Sequence, residues 1–157
     1  MSLFTNLFCK VPKGSLRSFS YSPGYCDMNG ESHHDQLKKT KDGKWIYISI
    51  YRKEHGEPTI TSTYSVSDND VNKFESFIKE KKILSLTKRP KSSDFITDYS
   101  PWTYGIDFDC SASGGRTFES DNISQYRKYS NKDFALLKEL DERFDKLKGE
   151  LISETAE

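Results

Sequence analysis

Hydrophobic positions between residues 44 and 83 change their spacing once, from a period of two to a period of about 3.6. In residues 44–52, three isoleucines alternate with three large rings. A strand there carries Ile46, Ile48 and Ile50 on one face and Trp45, Tyr47 and Tyr51 on the other. The two-residue period resumes in residues 57–66, and apolar residues then recur at helical spacing in residues 71–78. This pattern predicts two strands followed by a helix.

Turn and capping residues set the boundaries of these elements. Asp42-Gly43 is typical of a two-residue type I′ hairpin, because that turn needs positive φ at both central positions. The hairpin would pair residues 34–40 with residues 45–52. Ser67 is a suitable N-cap, with a carboxylate three residues later, for a helix over residues 68–82.

The second half of the chain follows the same logic. An alternating aromatic strand is predicted around residues 102–108, and Gly114-Gly115 turns the chain into a short strand at residues 116–119. Ser130 caps a second predicted helix that ends near Gly149. The stripe of this helix is Phe134, Leu137, Leu140 or Asp141, Phe144, Leu147 and Leu151.

Tight hairpins in place of long crossovers argue against a parallel sheet. We therefore expect an α+β fold in which an antiparallel sheet of about five or six strands, including a first strand at residues 14–21, carries two helices on one face. Residues 1–157 are expected to form one domain with frayed ends at 1–13 and 150–157.

Charge and composition narrow the function classes. Lys+Arg 24 equals Asp+Glu 24, so the chain lacks the electrostatic drive of a nucleic-acid or membrane-surface binder. No apolar run approaches the roughly 18 residues that span a bilayer. Three widely spaced cysteines, Cys9, Cys26 and Cys110, suit free thiols in a reducing compartment, so we expect a cytoplasmic protein. The alternative is an exported protein with a Cys9–Cys26 disulfide.

Metal, cofactor and nucleophile signatures are missing from the sequence. His33 and His34 are adjacent on a predicted strand, where neighbouring side chains point to opposite faces, so we predict no metal site. The glycines of residues 111–115 lack the ending of a phosphate-binding loop, and no histidine stands in a sequence signature with Cys110. The lysine-rich stretch at residues 79–91 is interpreted as a solvated helix end and loop. We predict no cofactor and no catalytic residue.

Carboxylates near an aromatic strand leave one enzymatic alternative open. Asp94, Asp98, Asp107 and Asp109 lie close in sequence to Trp102 and Tyr104, which are the ingredients of a hydrolase with a carboxylate-lined cleft. Acidic residues that alternate along a strand are also typical of the solvated side of a sheet.

The rings on the strand at residues 45–51 give the main functional hypothesis. If the isoleucines pack on the helices, Trp45, Tyr47 and Tyr51 form an aromatic face on the other side of the sheet, supplemented by Trp102 and Tyr104. The alternative is that loops cover these rings. The sequence therefore predicts a non-catalytic module that binds a protein or a small ligand through this aromatic face, in an oligomeric state that the pattern does not define.

Several segments in order resemble a group of small bacterial domains without an assigned activity. They are Phe19-Ser-Tyr-Ser22 before a glycine-containing turn, a hairpin, a short capped helix ending in an Ile-Leu pair, and Asp98 four residues before Trp102. The chain departs from that group at Leu84-Ser-Leu86, where a tryptophan is common. The resemblance implies an α+β fold and a bacterial origin, and it assigns no catalytic residue.

Overall fold

The computed structural model describes residues 14–24, 29–92, 102–110, 116–119 and 123–157. The strands are β1 (Ser15–Ser22), β2 (Ser32–Lys39), β3 (Trp45–Arg52), β4 (Ile60–Val66), β5 (Thr103–Cys110), β6 (Arg116–Glu119), β7 (Ile123–Ser124) and β8 (Leu151–Ala156). The helices are α1 (Asp68–Glu80) and α2 (Asn131–Asp145), with a 3₁₀ helix at Ile83–Lys88.

All strand pairs are antiparallel and belong to one sheet. The order across the sheet is β6-β5-β1-β2-β3-β4-β8, and β7 pairs with β5. The predicted α+β class with an antiparallel sheet is confirmed. The sheet is larger than expected, because β7 and β8 join the strands that the pattern had indicated.

The turn between β2 and β3 differs in detail from the predicted type I′ turn. Thr40 N–H donates to the Lys44 carbonyl at 2.8 Å, and Gly43 N–H donates to the Thr40 carbonyl at 3.0 Å. Gly43 alone has positive φ in this loop, at 79°. The loop therefore has three residues with glycine in the left-handed position, which is the next most common hairpin after the two-residue form.

Both predicted helix starts are confirmed. The Ser67 hydroxyl accepts a hydrogen bond from Asp70 N–H at 3.1 Å, and the Ser130 hydroxyl accepts from Asp133 N–H at the same distance. Asp133 completes a capping box, since its carboxylate accepts from Ser130 N–H at 3.1 Å. These side chains satisfy backbone donors that the first helical turn leaves without partners.

The helix ends were less well predicted. α1 ends at Glu80, two residues early, because Lys82 has positive φ at 53° and directs the chain into the 3₁₀ helix. Ile83 and Leu86 of that helix are buried, so the short helix closes one end of the core. α2 ends at Asp145, and Phe134 of the predicted stripe is 51% exposed.

Helices α1 and α2 pack on the same face of the sheet. The Phe19 ring of β1 lies 5.0 Å from the Phe74 ring of α1 and 4.5 Å from the Phe144 ring of α2. A cross-strand row of apolar side chains supports them: Ile106, Phe19, Leu37, Tyr47 and Tyr64. The core therefore lies between this row and the two helices.

Residues 150–157, expected to fray, form a paired strand, so that expectation is wrong. Gly149 N–H donates to the Ser65 carbonyl at 3.0 Å, and Glu157 exchanges two backbone hydrogen bonds with Thr59. The Ser62 hydroxyl donates to Glu154 Oε2 at 2.8 Å. Leu151 thus belongs to β8 and not to the stripe of α2. Residues 1–13, also expected to fray, lie outside the described residues.

Candidate functional site

Strand β3 has the opposite orientation to the one on which the aromatic-face hypothesis depends. Trp45 is 6% exposed and Tyr47 is fully buried, and the Tyr47 ring lies 4.7 Å from the Phe144 ring of α2. Ile46, Ile48 and Ile50 lie on the other face and are half-buried. The expectation that the isoleucines pack on the helices is therefore wrong, since the larger rings occupy the helix side and bury more apolar area there.

The cross-strand neighbours carry the signal that fixes this orientation. Tyr47 lies between Leu37 and Tyr64, whereas Ile48 lies between Gln36 and Thr63. A strand face buries the residues whose neighbours on adjacent strands are also apolar. The sequence contains this information, but it can be used only when the register of β2 and β4 against β3 is known.

The remaining predicted site residues are not brought together. Tyr104 is buried, and Trp102 is half-buried with its ring 5.9 Å from that of Tyr104 and 5.6 Å from that of Tyr129. Tyr51 is half-buried near His33, on β3, and strands β1 and β2 separate β3 from β5. Trp45, Tyr47 and Tyr104 belong to the core and do not form an exposed surface with Tyr51 and Trp102.

The sheet face opposite the helices is lined by residues that are not buried. We call it the isoleucine face, and it consists of Ile46, Ile48 and Ile50 with their neighbours Ser18, Ser20, His34, Gln36, Lys38, Thr61, Thr63, Ser65, Ser153 and Thr155. None of these residues is buried. An aliphatic stripe thus runs along the centre of this face, and most of the side chains around it are hydroxyls and amides. No described helix or strand packs on the isoleucine face.

A buried carboxylate, Asp35, organises a small polar cluster on the helix side of the sheet. Nε2 of His33 lies 2.9 Å from Oδ1 of Asp35 and 3.3 Å from the hydroxyl of Ser49. Burial raises the pKa of Asp35, but interactions with His33, Ser49 and Tyr47 outweigh burial and hold that pKa below its usual value. One imidazole nitrogen faces both the carboxylate and the hydroxyl, whereas a catalytic triad needs one nitrogen for each, so this cluster does not form a triad.

A second polar contact joins the sheet to α2. The Tyr104 hydroxyl donates to Oδ1 of Asp141 at 2.5 Å, and the Tyr104 ring stacks on Tyr21 at 4.6 Å. Burial raises the pKa of Asp141, and the hydrogen bond from Tyr104 offsets only part of that rise. Tyr21 lies between Tyr104 on β5 and Asp35 on β2. The stacked Tyr21 and Tyr104 rings therefore have Asp141 on one side and Asp35 on the other, and the pKa values of these two carboxyl groups are shifted in opposite directions.

The carboxylates singled out in the sequence lie elsewhere. Asp107 is on the isoleucine face of β5, where its Oδ2 accepts from the Ser18 hydroxyl at 2.7 Å, and Asp109 shares that face. The Trp102 and Tyr104 rings are on the helix side, so these two aspartates do not share a cleft with them. Asp94 and Asp98 lie outside the described residues.

Histidines and cysteines supply no described metal or thiol site. His34 contacts the Ser22 hydroxyl at 2.7 Å on one face of β2, while His33 contacts Asp35 on the other, as strand alternation predicts. Among the described residues, no three His, Cys, Asp or Glu side chains are grouped so as to hold a metal ion. Cys9 and Cys26 lie outside the described residues, as does the side chain of Cys110.

The helix lengths and the comparisons with known proteins do not indicate a function. The helices of the described part are too short or too polar to cross a membrane. In comparisons with protein-family models, with curated proteins and with solved structures, no match was found.

Proposed function

We propose that this chain is a non-catalytic protein-binding module whose contact surface is the isoleucine face. The observation that carries the proposal is the stripe of Ile46, Ile48 and Ile50, partly exposed on the sheet face that neither helix covers. Aliphatic residues within an otherwise polar surface favour a contact with another macromolecule, because water release on burial supplies the driving force.

The composition of the isoleucine face matches the anatomy of a protein interface. Its centre is the apolar isoleucine stripe, and most of its surroundings are hydroxyl and amide groups. Lys38 beside Ile46, His34 beside Ile50 and Asp107 on β5 add two charges of opposite sign and an imidazole. Specific interfaces combine a desolvated centre with a polar rim in this way. An extended sheet face suits a protein partner better than a small molecule, which needs a concave site to bury most of its surface.

The setting of this module is part of the same proposal. Several segments resemble those of small bacterial domains in the same order along the chain, which supports a bacterial origin. The three widely spaced cysteines support a cytoplasmic location. The balanced charge argues for a protein partner over a nucleic acid.

Two isoleucine substitutions test the contact surface. Ile48→Glu places a charge at the centre of the isoleucine face, and Ile60→Glu places the same charge on the neighbouring strand but on the helix side, where Ile60 is 37% exposed. The tagged protein is cross-linked in its source cells, captured partners are identified, and binding is remeasured with the purified partner. We expect Ile48→Glu to abolish binding and Ile60→Glu to retain it, with both variants folded by circular dichroism.

Equal loss of binding in both variants, or no loss in either, would show that the partner does not contact the isoleucine face. A purified partner is needed for this decision, because exposed isoleucine also promotes non-specific adhesion.

A second candidate function, hydrolysis, is favoured by one observation. Burial raises the pKa of Asp141, whereas hydrogen bonds hold the pKa of Asp35 below its usual value despite burial. Two carboxyl groups whose pKa values are shifted in opposite directions are one ingredient of acid–base hydrolysis. We expect, under this alternative, that a panel of aryl glycosides and esters includes a substrate whose cleavage Asp141→Asn abolishes and Asp107→Asn preserves. Inactivity of the unaltered protein on the whole panel would count against hydrolysis.

A further inference from the structure

A groove between α1 and α2 lies on the side of the molecule opposite the isoleucine face. It contains a cavity of about 320 Å³ lined by Asn72, Lys73, Ser76, Phe77, Glu80, Lys81 and Arg143. A second cavity of about 150 Å³ is lined by Asp70, Lys73, Phe74, Arg143, Lys146 and Leu147. Lys73 and Arg143 line both cavities, so the two form adjoining parts of one groove.

Cations outnumber carboxylates among the charged side chains that line this groove. Four cationic side chains, Lys73, Lys81, Arg143 and Lys146, face two carboxylates, Asp70 and Glu80. In the described part of the chain, none of the three lysines forms an ion pair or a side-chain hydrogen bond. The groove therefore offers cationic donors that no described protein group satisfies, and a ligand rich in anionic acceptors complements them.

Arg143 is held in place before any ligand arrives. Its Nε and one terminal nitrogen donate to Oε1 of Glu139 at 3.0 and 2.8 Å, and its guanidinium carbon lies 4.3 Å from the centre of the Phe77 ring. These contacts use two of the five N–H donors and leave three for the groove. A donor fork that is already ordered loses less conformational entropy on binding than a free arginine.

We propose that the α1–α2 groove binds a small molecule that carries two phosphoryl groups. Each cavity is lined by three of the four cations, with Lys73 and Arg143 shared between them. With one phosphoryl group in each cavity, Lys73 and Arg143 could each donate charge-assisted hydrogen bonds to both groups. A planar guanidinium and a flexible ammonium both suit phosphoryl oxygens as acceptors. The Asn72 amide and the Ser76 hydroxyl supply neutral donors in the larger cavity.

Calorimetric titration of the full chain with inorganic pyrophosphate and with inorganic phosphate, in a metal-chelating buffer, tests the site. We expect pyrophosphate to bind at least about tenfold more tightly than phosphate, because a second charge-assisted contact contributes about that factor.

A pair of lysine substitutions separates a built site from general attraction to positive charge. Lys73→Gln removes a cation that lines both cavities, while Lys132→Gln removes an exposed cation from the first turn of α2, away from the groove. We expect Lys73→Gln to weaken pyrophosphate binding about tenfold and Lys132→Gln to change it less than about twofold. Equal effects of the two substitutions, equal affinity for pyrophosphate and phosphate, or no binding would each overturn the proposal.

Discussion

The hydroxyl of Tyr47 makes the sharpest prediction about stability. Tyr47 is fully buried, and its Oη has no described partner that meets hydrogen-bond geometry, although the Asp35 carboxylate lies near enough to interact with it. Burial raises the pKa of this phenol, and the negative charge of Asp35 raises it further, so the hydroxyl stays protonated. A buried hydroxyl without a partner costs about 1–3 kcal/mol in measured mutational series.

Removing that oxygen while keeping the ring isolates this cost. In Tyr47→Phe the contacts with Phe144 and with Nζ of Lys148, 5.0 Å above the ring centre, are preserved. We expect Tyr47→Phe to raise the free energy of unfolding by about 1 kcal/mol, since relaxation around the site recovers only part of the burial cost. For a chain of this length that corresponds to a rise in Tm of about 2–4 °C.

Tyr104→Phe is the matched control, because it makes the same chemical change but is expected to lower the free energy of unfolding. The Tyr104 hydroxyl donates to Asp141, so its removal leaves a half-buried carboxylate without that donor. We expect a loss of about 1.5–3 kcal/mol, the range for hydrogen bonds to charged groups. Equilibrium urea denaturation monitored by circular dichroism, with equal m values across the variants, measures both changes.

A loss of more than about 1 kcal/mol in Tyr47→Phe would refute the reasoning. It would show that the Tyr47 hydroxyl is paired in solution, and Asp35 would be the acceptor to examine. A variant that unfolds with a changed m value would not bear on the hydroxyl, so the comparison is restricted to variants that keep the same m.

Two further predictions concern an ion pair and a glycine. The hydrogen bonds from Arg89 to Asp133, both 2.8 Å, hold the pKa of that carboxyl at about 2, below its ordinary value of 3.8. The pair therefore stabilises the fold above about pH 4, and this contribution is lost as pH falls towards 2. We expect Asp133→Asn to weaken the acid dependence of the urea midpoint, and an unchanged dependence would contradict the assignment. A Cβ at Gly149 would lie 2.5 Å from the Ser65 carbonyl oxygen. Gly149→Ala should accordingly increase amide hydrogen exchange in β8 more than in β2, and uniform exchange rates would argue against a local clash.

The sequence predicted the fold where local chemistry decides the structure. Ser67 and Ser130 could be recognised as caps because their hydroxyls act on backbone groups only three residues away. The turn at Gly43 was located for the same reason. Its loop length was wrong by one residue, because type I′ turns and three-residue loops use similar residues.

The candidate surface could not be predicted because it depends on long-range pairing. Alternation assigns Tyr47 and Ile48 to opposite faces but does not say which face meets the helices. That choice depends on cross-strand neighbours contributed by β2 and β4. Strand β8 was missed for a related reason, since its pairing with β4 is made across more than 80 residues of chain and its own six residues show no clear strand pattern.

The strand order has a consequence for how the chain reaches its folded state. β1 to β4 form a meander of neighbours in sequence, whereas β5 and β8 come from the second half of the chain and attach to its two opposite edges. The meander can assemble through short loop closures, but each edge is completed only by a closure across roughly 80 to 95 residues, which slows folding. Until both closures occur, β1 and β4 each expose an unpaired edge. Aggregation of the newly made chain is therefore expected to depend on how quickly its second half arrives.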